Sequence, residues 1–494
     1  LVVLAVIAGL GLLAAPLPFT GDQALFAAGA RQLARGDVLY RDFWDVKQPG
    51  IYLWYLGGGS LFGYSEVALH LVEVAYQLTF TVVLIVTLRG RFSRGWIGPL
   101  VPLLIFGVYY ATIEPQQLGQ VESLVGFPLY LTLWCSVRGL DSNAARGRWL
   151  FTSGLAGGLV LVFKLVLAPI VASFWLLAAW QLARAVPTGR LRAIVSGLGA
   201  VAAGVLVPIV IAVAYFAAYG QLETVRWTYF TVSPQATGIA GRPLSRLTGG
   251  GFKTAARWAI PLALGSVGLV AAARRGWDRL ELGLVAWLVL GVPVFLIQHW
   301  WIYTYAMFLV PVGILAGHGL DTIVESWPRR RGLARAALVV GAVILLVPAA
   351  ARVARNGRDV ASHGFALSTK DRAELRADLE PDYKPAAAWA RQLHQPGAPR
   401  GGVYVLGNPL DLYLANRTQS VSINGWSPEQ YPQSVWDRIQ REIEQARPVE
   451  LVVDKFSKKI TQARARETLK TINHLYRPYG GAAEDTWYHL RPNP

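Results

Sequence analysis

The sequence predicts a polytopic α-helical membrane protein, with about eleven transmembrane helices over 1–351 and a small α/β domain over 352–494. Three observations predict it. Only 16% of the 494 residues are charged and 53% are hydrophobic, whereas a soluble domain carries roughly 25% charged residues. Apolar runs such as 1–18, 72–88, 192–218 and 333–350 reach the roughly 17–25 residues that cross a hydrocarbon core. Basic residues gather in alternate loops: Arg89, Arg91 and Arg94; Arg138, Arg146 and Arg148; Arg184, Arg190 and Arg192; Arg274, Arg275 and Arg279; and Arg329, Arg330, Arg331 and Arg335.

That last pattern decides what the net charge of +17 means. In a soluble protein it would point to nucleic acid. Here the intervening loops near 112–119 and 298–304 hold no Lys or Arg, which is the positive-inside signature of membrane topology. It puts the N-terminus in the cytoplasm, sends odd-numbered spans outward and places the C-terminal domain outside. The one cysteine, Cys135, lies in an apolar run, so no intramolecular disulfide forms.

Taken in order, spans are expected near 1–18, 66–88, 95–111, 119–137, 150–163, 165–183, 192–218, 259–273, 280–298, 304–320 and 333–350. The fifth and sixth share few residues and have basic flanks on both sides. Two short helices meeting at Lys164 satisfy both flanks; one long tilted span would put an arginine cluster on the wrong face. The first long outer loop, 19–65, contains GDQALFAAGARQLARGD. Its Ala24, Leu25, Ala28 and Leu33 recur at helical spacing, predicting an amphipathic helix in the interface. The second, about 219–258, carries Arg226, Arg242, Arg246, Lys253 and Arg257. Basic residues on that side run against the orientation rule, so an anionic headgroup or phosphate is one reading and a solvated loop the other. Beyond 352, GVYVLG (402–407) and VELVVDKF (449–456) read as buried strands and TWYHL (486–490) as an edge strand. PLDLYLANR (409–417) and 427–446 read as helices, the second with Ser427 as N-cap and Pro428 in its first turn.

No phosphate loop, metal-ligand spacing or serine elbow occurs. The closely spaced glycines of GLAGGLVLVFK lie within a span, where small residues mean helix packing. The informative residues are ionisable ones at the outer ends of helices: Asp22, Asp42, Asp45, Lys47, Glu114, Glu122 and Lys164. Charge at membrane depth is costly and usually functional. An acid and a lysine on one outer loop suit sugar transfer from a lipid phosphate. The acid serves as base toward an acceptor hydroxyl, and the cation stabilises the departing phosphate. Each residue also has a structural reading: Asp22 as a helix cap, Lys47 and Lys164 as snorkelling anchors, Glu122 as a helix-start residue, and the aromatics around Tyr303 as an interfacial belt.

The stretch FTGDQALFAAGARQLARGDVLYRDFWDVKQPGIYLWYLGG resembles the first outer loop of GT-C superfamily glycosyltransferases. It is most similar to the bacterial branch related to protein O-mannosyltransferases (glycosyltransferase family 39) and to lipid A aminoarabinose transferases. GQVESLVGFPLYLTL with Glu122, SGLAGGLVLVFKLVLAPI with Lys164, WWIYTYAMFLVPVGILAGHGL with Tyr303, and VYVLGNPLDLY…ELVVDKF look familiar in the same way. The resemblance implies a polyprenyl-phosphate sugar donor, membrane lipid surroundings, and a lipid, glycan or protein acceptor. It puts the catalytic aspartate at Asp22 and the family's Lys-Pro pair at Lys47, where Gln48 separates Lys47 from Pro49. Lys47, Glu122, Lys164, Arg242 and Tyr303 are the expected substrate contacts. A divalent metal is compatible with this chemistry and not required by it. The reading is therefore an inverting glycosyltransferase on the outer face of the cytoplasmic membrane. Its rivals are a transporter or flippase of lipid-linked sugars, for which internal repeats and midplane charges are the usual signs, and a non-catalytic assembly protein.

Overall fold

A computed structural model describes all of 1–494 except 143, 186–188, 240, 330–331, 483–484 and 493–494. Arg330 and Arg331 of the last basic cluster thus lie outside the described residues. The protein is mostly helical, with a small mixed sheet near the C-terminus.

Every one of the eleven predicted segments is helical. Six helices are long and apolar enough to cross a membrane: Glu66–Thr87, Leu165–Arg184, Arg190–Ala218, Arg279–Leu296, Ile302–Ser326 and Gly332–Ser362. A seventh appears if Leu244–Arg257 and Ala259–Arg275, bent by 83°, count as one. The rest fall short for local reasons. Val2–Ala14 has 13 residues, about 20 Å at 1.5 Å per residue. Ile97–Thr112 is interrupted by a π-turn at Leu103–Gly107, directly after Pro102. The 119–137 segment is split into Val121–Leu124 and Gly126–Asp141. On Arg190–Ala218 and Gly332–Ser362, side chains such as Val210, Ile211, Val343 and Ile344 are more than half exposed. Apolar surface of that length is what hydrocarbon, not water, solvates.

The chain forms two compact units, each assembled from separated stretches. The first comprises Leu1–Pro16, His70–Ile211 and Arg242–Ser362. Its helices approach closely wherever glycines meet. A Cβ on Gly319 would fall 1.8 Å from the Leu264 carbonyl oxygen, and one on Gly268 2.1 Å from that of Leu315. The glycines of the GLAGG stretch behave as expected: Gly154 faces the Val201 backbone and Gly158 faces Val205 and Pro208. Around Lys164 the chain makes two helices, Arg146–Phe163 and Ala168–Ala185, joined by a 3-10 turn. They fold back on one another, with Gly157 against Val171 and Trp175, and the Trp175 indole donating to Ser153 (3.0 Å). His318, in the middle of the helix Leu309–Ser326, is packed inside this unit against Phe92.

The second unit comprises Leu17–Leu69, Ala212–Gly241 and His363–Pro494. Its sheet runs β1 (Val403–Leu406), β2 (Glu450–Val453), β3 (Tyr476–Gly480) and β4 (Thr486–Leu490), in the order β1-β2-β4-β3. β1 and β2 are parallel and the other pairs antiparallel. The segment 486–490 is therefore an inner strand, not the predicted edge, because β3 pairs outside it. The predicted helix at 409–417 is Leu410–Ala415, closed by Asn416 in the left-handed region. The predicted helix over 427–446 starts late. Ser427 has φ 59° and caps nothing; a 3-10 turn at Pro428–Gln430 follows, and the α-helix is Gln433–Ala446 after Pro432. The helix Gly21–Ala34 differs from its amphipathic expectation. Asp22, Gln23 and Gln32 are buried along with its apolar residues, since it is covered on more than one side by Tyr52, Tyr55, Tyr413 and Trp426.

Candidate active site

In the second unit the first loop builds a charged cluster from four consecutive steps of local structure. The helix Gly21–Ala34 begins at Thr20, whose backbone N–H donates to the Gln23 side chain (2.8 Å). Thr20 and Gln23 thus form a capping box, and Asp22 lies in the first turn beside them. Near a helix N-terminus its negative charge is favoured by the aligned peptide dipoles. After the helix the chain turns sharply: Tyr40 has φ 69° and Asp42 accepts from the Val38 N–H (2.8 Å). The Tyr40 hydroxyl then donates to the Lys47 carbonyl (2.7 Å), fixing the end of the loop. Finally Pro49 opens the next helix, Pro49–Phe62, which presents Tyr52.

These steps bring Lys47 Nζ to 3.1 Å from Asp22 Oδ1 and 3.7 Å from Asp45 Oδ2. The Tyr52 hydroxyl donates to the same Asp45 oxygen (2.6 Å), and Phe26 lies beneath the ammonium at 5.4 Å. The Trp426 indole N–H donates to Asp22 Oδ1 (2.8 Å). Asp22 and Asp45 are both almost entirely buried. Burial opposes the charge on Lys47, but the two carboxylates outweigh it and hold its pKa above the ordinary lysine range. The ammonium therefore stays ionised at any physiological pH. A carboxylate pair sharing one fixed cation can accept a proton from a hydroxyl at one end and present positive charge to an anion at the other.

The remaining predicted residues lie in the first unit. Lys164 ends the helix Arg146–Phe163 in an extended conformation (φ −160°) and donates to Glu122, whose side chain is 4% exposed. Arg242 donates to the Leu296 carbonyl (3.2 Å). Arg246 donates to that of His299 (3.3 Å) and sits 4.0 Å over the Trp301 ring. Tyr303 is half-buried on the 3-10 stretch Ile302–Phe308, beside Tyr305, whose hydroxyl donates to the Leu247 carbonyl (2.9 Å). Glu114 takes both Arg257 and Arg352. Its burial would raise its pKa, but these arginines hold it below the usual carboxylate range. The structure thus pairs Asp22 with Lys47 and Glu122 with Lys164. Arg242 and Tyr303 are found on other partners and elements.

Three participants escape the sequence reading. Tyr52 looked like one of many loop aromatics, and Trp426 sits about four hundred positions from its partner, beyond any local pattern. Glu73 had a usable signal, since it is a lone carboxylate within an apolar run. It accepts from the Tyr109 hydroxyl (2.7 Å), the Gly119 N–H (2.9 Å) and the Ser123 hydroxyl (3.3 Å), and so pins the turn that carries Glu122. Among the described residues, no group of three or more His, Cys, Asp or Glu is placed to hold a metal ion.

No protein-family model matches the chain, and no curated protein matches it in sequence. Solved structures do. The fold is that of ArnT. A crystal structure of ArnT from Cupriavidus metallidurans bound to undecaprenyl phosphate matches with a TM-score of 0.60 at 17% identity, covering 100% of this chain and 98% of that one. The same protein in the apo state gives 0.59 at 16%, over 99% and 97%. The archaeal oligosaccharyltransferase AglB from Archaeoglobus fulgidus, in complex with an inhibitory peptide and a dolichol-phosphate, gives 0.50 at 11%, over 99% and 74%.

Proposed function

We propose that this protein is an inverting glycosyltransferase, taking a sugar from a polyprenyl-phosphate donor to an acceptor on the outer face of the cytoplasmic membrane. The observation that carries the reading is the Asp22–Lys47–Asp45 cluster on the first loop. The likeness in fold to ArnT captured with undecaprenyl phosphate supports it. In this reading the protein has about eleven spans, with the N-terminus inside and residues 352–494 outside.

Asp22 acts as general base. It removes the proton of the acceptor hydroxyl as that oxygen attacks the anomeric carbon, and the sugar–phosphate bond breaks on the opposite side. Lys47 meets the charge that develops on the departing phosphate. Its pairing with two carboxylates keeps it ionised and aimed, so little reorganisation is needed when the phosphate arrives. Asp45, held by Tyr52, keeps the ammonium near Asp22. In the other unit the reading assigns Glu122, Lys164, Arg242 and Tyr303 to substrate contact. An interior ion pair such as Glu122–Lys164 is costly to maintain for stability alone, which favours a working role.

The test uses purified protein in proteoliposomes with a panel of synthetic polyprenyl-phosphate hexoses and pentoses. Transfer with inversion at the anomeric carbon is expected, with kcat reduced at least a hundredfold in Asp22→Asn, in line with loss of a general base. Full transfer by Asp22→Asn would remove Asp22 from that role, and a retained anomeric configuration would remove single displacement.

A further inference from the structure

We propose that Trp426, from the C-terminal part of the chain, is a positioning residue for the reaction, holding the Asp22 carboxylate in place when Lys47 turns to the donor phosphate. The inference rests on the function proposed above. Lys47 Nζ and Trp426 Nε1 both reach the same oxygen, Asp22 Oδ1, at 3.1 and 2.8 Å. The two donors differ in what a new anion does to them. The ammonium is a mobile point charge on a four-carbon stem, already shared between Asp22 and Asp45, and a phosphate draws it away. An indole N–H is neutral and can only donate, so it has no comparable reason to leave.

The surroundings fix the indole where it is. Its ring packs against the first turn of the helix Gly21–Ala34, so close that a Cβ on Gly21 would fall 2.2 Å from Trp426 Cζ2. The backbone leading to it is bridged to the catalytic loop at Trp44. Trp44 N–H donates to the Ser422 carbonyl (2.7 Å), and the Asn424 N–H and side-chain amide both donate to the Trp44 carbonyl (3.2 and 2.8 Å). Asn424 in turn accepts from the Trp426 N–H (2.9 Å). The Tyr431 hydroxyl lies within hydrogen-bonding distance of the carbonyls of Asn424 (2.5 Å) and Trp426 (2.9 Å). Gly425 passes so close to β1 that a Cβ would meet the Val405 carbonyl oxygen at 2.1 Å. One short bridge therefore positions both Trp426 and the loop that carries Asp45 and Lys47.

Charged and titratable groups near Asp22 include Lys47 directly, with Asp45 and Tyr52 beyond it. Removing the indole donor takes away one stabiliser of the ionised carboxylate, so the acidic limb of the kcat–pH profile moves to higher pH. The informative variant is Trp426→Phe in the full chain in nanodiscs, because it keeps an aromatic ring and removes the N–H donor. The expected result is a fall in kcat of about 10- to 100-fold, as for losing a hydrogen bond to a charged group. Donor KM stays within about twofold, and the acidic limb shifts upward by up to about one pH unit. A second readout needs no turnover. The Trp426 indole ¹⁵N–H resonance, assigned by its loss in Trp426→Phe, should titrate with pH and stop titrating in Asp22→Asn. Wild-type kcat and pH profile in Trp426→Phe, or an indole signal indifferent to Asp22→Asn, would overturn the proposal while leaving the glycosyltransferase intact. A wild type that transfers no sugar from any donor overturns the proposed reaction itself, and the positioning role with it.

Discussion

Glu122 and Lys164 show most clearly what a residue's neighbours do to its meaning. Each was legible as an ionisable residue at the end of an apolar segment, but only the fold shows that they bind one another, with Glu122 at 4% and Lys164 at 19% side-chain exposure. Breaking such a pair leaves a buried charge uncompensated. Glu122→Ala should therefore destabilise the protein by about 3 kcal/mol, seen as a lowered thermal unfolding midpoint in detergent. The double variant Glu122→Gln with Lys164→Gln should cost less than the sum of the singles; strict additivity would contradict the pairing. A second residue-scale prediction concerns Glu380. Burial raises its pKa to about 7, and the charge of Asp382 adds to the effect. Its folded pKa thus exceeds the ordinary value of 4.5, so the folded state binds the extra proton. The associated stability is fully present below pH of about 4.5 and is lost as pH rises through about 7. Glu380→Gln should flatten that part of the stability–pH curve, and an unchanged curve would exclude Glu380 as its source. Asp22 and Lys47 stood out in the sequence because resemblance and position coincided, and the fold pairs them. Trp426 did not, because nothing local marks a side chain whose partner lies about four hundred residues away.

Among elements, those whose pattern is set by their own burial were the readable ones. The strands β1 and β2, buried at every position, stood out by their Val- and Leu-rich stretches. β3 did not, because its sequence Tyr476-Arg477-Pro478-Tyr479-Gly480 is polar, contains proline and is a strand only through its pairing with β4. Ser427 and Pro428 had the composition of a helix start, yet Pro432 resets the backbone and the helix begins after it. The glycines within spans were correctly legible as packing residues, but their partners were not. The crossing of Ala259–Arg275 with Leu309–Ser326 is the tightest case, with Gly268 and Gly319 each against the opposing backbone. Gly319→Val should push these helices apart and lower the thermal midpoint by several degrees, as overpacking of about 1–3 kcal/mol does. Gly9, which faces open space, is the matching control, and equal effects at both positions would contradict the close crossing.

At the scale of the whole molecule, composition and charge placement made the membrane class and its helical architecture readable, and the comparison with ArnT shows a shared fold along the full chain. What the sequence could not show is that the compact units are built from interleaved stretches. Residues 17–69 and 212–241 belong with the C-terminal part, while 1–16 belongs with the bulk of the spans. Composition changes once near 352, whereas compactness follows contacts between segments far apart in the chain. In the proposed function, sugar moves from a lipid phosphate under the control of Asp22. The most direct test is transfer of radiolabelled sugar from polyprenyl-phosphate donors in proteoliposomes, with wild type and Asp22→Ala compared side by side. Labelled product is expected from the wild type and its loss in the variant. No product from any donor, while labelled lipid crosses the bilayer, would contradict the enzyme and turn the same fold into a transporter of lipid-linked sugars.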